Sequence, residues 1–71
     1  MAYIEVKSST LAAIKYDAEE SVLCVRFRSG DEYEYQGVPE SVYQGILKAR
    51  SVGKYFDQHV KKAGYRYRQL K

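Results

Sequence analysis

The chain has one cysteine, one histidine, one proline and no tryptophan among its 71 residues. A lone Cys24 cannot close an internal disulfide, which excludes a disulfide-stapled secreted scaffold and points to a reducing compartment, most simply the cytoplasm. Cys24 and His59 are too few for a structural zinc site, which normally takes four such ligands. No apolar run exceeds four residues, as at 11–14 and 22–25, far below the length that spans a bilayer, so no membrane segment is expected. Glu5 and Lys7 interrupt the start, leaving no signal-peptide core. The five glycines are scattered at 30, 37, 45, 53 and 64, so no glycine-rich phosphate loop exists.

What is present describes one small domain over 1–71. Hydrophobic residues make up 45% and charged residues 30%, a globular rather than disordered balance. The net charge of +3 hides an asymmetry. Residues 1–45 carry four cations and eight anions, whereas residues 46–71 carry eight cations against Asp57 alone. Such a split points to an anionic partner for the basic half, nucleic acid being the common case. Equally, the acidic half can fold against the basic half and cancel it.

Strands come first. Leu11 to Tyr16 reads as a short strand, with Ile14 and Tyr16 on one face and Ala13 and Lys15 on the other. The acidic loop 17–21 closes a hairpin into 22–28, where Leu23, Val25 and Phe27 share a face opposite Cys24, Arg26 and Arg28. Ser29-Gly30 is a turn signal, and 32–36 resumes as a strand with Tyr33 and Tyr35 together. Pro39 then suits a helix start, with Val42, Tyr43, Ile46 and Leu47 at helical spacing. Ser51 suits the N-cap of a second helix holding Tyr55, Phe56 and Val60 and ending near Gly64. The alternation Tyr65-Arg66-Tyr67-Arg68 reads as a short fourth strand or an extended tail. The expected fold is α+β: a three-stranded antiparallel meander, then two helices on one face. Leu23, Val25, Phe27, Ile46, Leu47, Phe56 and Val60 form its expected core.

The ordered series Ser8-Ser9, Tyr16-Asp17, Gly30, Tyr33-Glu34-Tyr35, Val38-Pro39, Tyr43, Leu47, Ser51, Gly53 and Tyr55-Phe56 resembles the KTSC domain family. The family takes its name from a domain at the C-terminus of some lysyl-tRNA synthetases and includes stand-alone small bacterial proteins. The resemblance covers roughly residues 6 to 67 and implies the stand-alone form. For function it implies only the RNA binding suggested for the family, and no tRNA substrate carries over.

Each candidate residue has two readings. Tyr33 and Tyr35 either stack unpaired bases or cover the core with their rings. Hairpin register decides: a two-residue loop at Ser29-Gly30 sends them away from Leu23, Val25 and Phe27, and a three-residue loop at 29–31 sends them to that face. Arg66 and Arg68 interleaved with Tyr65 and Tyr67 offer charge for phosphates and rings for bases, or protect a terminal edge strand. Lys54, Lys61 and Lys62 either add to that surface or form a solvated helix face. The expectation is one continuous surface holding Lys54, Lys61, Lys62, Arg66 and Arg68 with Tyr65 or Tyr67. His59 has no acidic or cysteine partner at dyad spacing, Cys24 suits a buried mid-strand position, and Ser8 and Ser9 suit a turn, so no enzyme and no cofactor are expected. A nucleic-acid-binding module, for RNA or single strands, is the first reading. A protein-interaction or self-association module, using a sheet edge or the tyrosine-rich face, is the second.

Overall fold

A computed structural model describes residues 2–71. Its sheet has five antiparallel strands in chain order: β1 (Ile4–Glu5), β2 (Leu11–Asp17), β3 (Val22–Phe27), β4 (Glu32–Gln36) and β5 (Arg66–Gln69). Between β4 and β5 lie α1 (Glu40–Lys48) and α2 (Val52–Phe56), the latter continuing as a π-helical turn over Asp57–Lys61. The α+β class and the central meander agree with the sequence. Of the two alternatives for 65–68 the fourth strand is realised, as β5; the count still differs, because β1 adds a fifth strand that a two-residue segment could not announce by period.

Alternation builds two sheet faces. Ile14, Tyr16, Leu23, Val25 and Tyr35 meet Ile46, Val52, Phe56 and Val60 beneath the helices. Leu11 joins them because the register between Leu11 and Ala13 shifts, a bulge that turns Leu11 to the face its spacing denies it. The Tyr16 hydroxyl donates to the Val38 carbonyl at 2.6 Å, fastening the β4–α1 connection to β2, and its ring stacks on Tyr43 at 5.0 Å. Leu47 is 39% exposed rather than core, since it sits one helical step round from the buried Ile46. Phe27 is half-buried at the edge of the cluster.

The β3–β4 hairpin turns through Arg28-Ser29-Gly30, with Phe27 N–H donating to the Asp31 carbonyl at 2.8 Å and Gly30 at φ +100°. The loop has three residues, one position earlier than the 29–31 alternative, so Tyr33 pairs with Val25 and Tyr35 with Leu23. Both tyrosines therefore face the helices. Pro39 is the N-cap of α1 rather than its first residue, and Ser51 caps α2 by position without a side-chain bond. Ser8 Oγ accepts from the N–H groups of Thr10 and Leu11, the turn role its chemistry suggests.

Candidate functional site

The helices leave one end of their sheet face open. There Phe27, Tyr33, Tyr35 and Tyr67 from β3, β4 and β5 line a groove with Ser9, Thr10, Arg28, Ser29, Asp31 and Lys61. Pairing makes the aromatic floor: β5 lies against β4 with Tyr67 opposite Tyr35, so three tyrosines converge. Ring centroids are 5.7 Å apart for Tyr35–Tyr67, 5.9 Å for Tyr33–Tyr67 and 6.4 Å for Tyr33–Tyr35. Phe27 packs edge-on against Tyr33 at 5.7 Å, and Phe56 packs edge-on against Tyr35 at 5.5 Å, so the floor is continuous with the core. Tyr35 is 5% exposed and structural, Tyr33 is half-buried, and Tyr67 is 64% exposed. Burial, then the neighbouring Tyr33 and Tyr67, push the Tyr35 hydroxyl up to about 12.

Two cations flank this floor. Arg28 is fixed by an Nε–H bond to the Ser8 carbonyl, and its remaining donors are left for another partner. Lys61 reaches the groove from the π-helical turn. Among the described residues neither forms an ion pair. The rim is a hydrogen-bonded chain: Tyr33 Oη donates to Gln69 Oε1 at 3.4 Å, Gln69 Nε2 donates to Asp31 Oδ1 at 3.4 Å, and Ser29 Oγ donates to Asp31 Oδ2 at 3.2 Å.

The expected single basic surface is divided. Strand alternation sends Arg66 and Arg68 to the outer sheet face, away from Tyr67 and the helices. Arg68 Nε pairs there with Glu34 at 2.8 Å, the contact in which the basic half meets the acidic half, while Arg26 Nε pairs with Glu32 at 3.4 Å within the acidic half. Lys62 pairs with Asp57 at 3.4 Å, and Lys54 does not line the groove. A spacing of seven returns to one side only on a regular α-helix; the π turn, with Lys62 N–H bonded to the Asp57 carbonyl, breaks that step. Tyr65 is half-buried against the core. Of the sequence-selected residues, Tyr33, Tyr35, Tyr67 and Lys61 therefore come together, while Lys54, Lys62, Tyr65, Arg66 and Arg68 lie elsewhere.

The outer face carries another feature that the sequence did not reveal. Tyr3 lies against it, with Arg26 Cζ 4.2 Å and Lys15 Nζ 4.8 Å from its ring centroid, and its hydroxyl donates to Glu32 at 3.1 Å. Burial, then that bond, push the Tyr3 hydroxyl up to about 12. Cys24 is buried on this face, and burial raises its thiol, so it behaves as a small apolar residue. His59 stacks on Tyr55 at 4.2 Å. Among the described residues no group of three metal-ligating side chains occurs, and no helix is long and apolar enough to cross a membrane.

Comparison with known proteins places this geometry in a family. The chain is 42% identical over 67 residues to an uncharacterized protein of Stutzerimonas stutzeri, covering 94% of each. It is 30% identical to a segment of a lysine–tRNA ligase of Nostoc punctiforme, of whose length it spans 12%. The crystal structure of a KTSC domain protein from Yersinia pestis superimposes with a TM-score of 0.89 at 34% identity, covering 99% of this chain and 97% of that one. The KTSC domain model matches residues 7–67, and the chain belongs to the KTSC domain family.

Proposed function

We propose that the domain binds single-stranded RNA in the tyrosine groove. The observation that carries this reading is an exposed Tyr67 ring beside Tyr33, flanked by the unpaired cations Arg28 and Lys61. Unpaired bases stack on such rings, while the cations take the adjoining phosphates. Tyr35 and Phe56 hold the platform from below, so it is rigid before a base arrives. The association of a related segment with ligases named for tRNA favours RNA over DNA.

Titrating a fluorescent uridine oligomer tests this. Tyr67→Ala is expected to weaken binding by about 1–3 kcal/mol, the worth of one stacked base. If Arg28 and Lys61 each neutralise one phosphate, log K falls with log salt at a slope of about −1.4, and Lys61→Ala roughly halves it. The second reading, a protein-interaction or self-association module, is favoured by β5, whose four residues are all exposed at the sheet edge. Concentration-dependent association insensitive to salt, with no affinity for the oligomer, would replace the RNA reading by that one.

A further inference from the structure

The groove contains one anion. Asp31 sits between Arg28 and Tyr33 in a lining otherwise made of rings, hydroxyls and two cations. A carboxylate beside a phosphate path repels the backbone it should attract, so as a groove for phosphates alone the site would be better without it. Its placement suits a different task. Asp31 Oδ1 and Oδ2 are held by Gln69 and Ser29, and Gln69 is in turn held by the hydroxyl of the platform residue Tyr33. The carboxylate is thus tied to Tyr33 in the aromatic floor where a base would lie, and each oxygen has acceptor capacity to spare.

We infer that the groove selects guanine, with the Asp31 carboxylate accepting two hydrogen bonds from the Watson–Crick edge of a base stacked on the exposed Tyr67 ring beside Tyr33. The inference rests on the RNA reading above. Guanine presents two adjacent donors there, N1–H and the N2 amino group, which match the two oxygens of a carboxylate. Adenine presents its amino group beside the N1 acceptor, and cytosine presents its amino group beside N3. Uracil presents N3–H flanked by two carbonyls. Each of these three sets a lone pair against a carboxylate oxygen, and only guanine does not. Gln69 is a positioning residue here, since it aligns Asp31 and Tyr33 and need not touch the base.

Uridine oligomers carrying one central guanosine, adenosine, cytidine or uridine supply the test, with affinities measured under one buffer. The guanosine oligomer is expected to bind tightest by about tenfold, the discrimination that one bidentate pair typically gives. Asp31→Asn keeps the shape but turns one acceptor into a donor. It should lower affinity for the guanosine oligomer and raise affinity for the all-uridine oligomer, because the repulsion of phosphate is removed. A merely structural role for Asp31 would lower both. Equal binding of all four oligomers by the unaltered protein overturns the guanine inference and leaves RNA binding standing; no binding of any overturns both.

Discussion

Tyr35 shows how one residue type serves two ends. Its ring is buried between Phe56, Tyr33 and Tyr67, and its hydroxyl is held protonated up to about pH 12 by burial. In the unfolded chain the same hydroxyl ionises near 10. A raised acid pKa means that the folded state binds the proton more tightly. The contribution is therefore fully present below about pH 10 and is lost as pH rises through about 12. Tyr3, raised to about 12 by its own burial and its bond to Glu32, adds to the same window. The urea midpoint of the protein is expected to fall between pH 10 and 12, and Tyr35→Phe to make that fall shallower. A Tyr35→Phe variant with an unaltered alkaline profile would show that the hydroxyl is well hydrated.

The elements were unequally legible from the sequence. Three central strands and two helices follow from period-two and helical spacing, because there each side chain's direction is set locally. The face of Leu11 was not, since it depends on a bulge that appears only when β2 meets β3. The hairpin face of Tyr33 and Tyr35 hung on loop length, which spacing left open between two registers. The π turn after α2 was hidden as well, and it breaks the seven-residue step that would set Lys61 on the side of Lys54.

Gly45 carries a further element-scale consequence. A Cβ there would overlap Tyr55 Oη and Cζ, so the glycine lets α1 and α2 close over the tyrosine. Alanine is the better helix former by about 1 kcal/mol, yet Gly45→Ala is expected to lower the melting temperature. In a Tyr55→Ala background the same substitution should raise it, giving a double-mutant cycle with clear coupling. Additive effects would place Tyr55 away from α1.

At the scale of the whole molecule, the sheet sorts the charges that the sequence only counts. The final 26 residues are strongly basic, but β5 turns Arg66 and Arg68 to the outer face, where Arg68 pairs with Glu34, and Tyr67 toward the groove. Sequence spacing could pair cations with aromatics along β5; it could not say which face of the sheet the helices would occupy. The candidate site was thus half legible: Tyr33, Tyr35, Tyr67 and Lys61 were selected from the sequence. Arg28, Asp31 and Gln69 enter only through the hairpin register and the β4–β5 pairing. The most direct test of the account is an intermolecular NOE experiment on the labelled protein saturated with a uridine oligomer containing one guanosine. Base protons are expected to contact the rings of Tyr67 and Tyr33, with the Arg68 Nε–H resonance unmoved beside Glu34. Contacts confined to the outer face around Arg66 and Arg68, or none at saturating RNA, would contradict it.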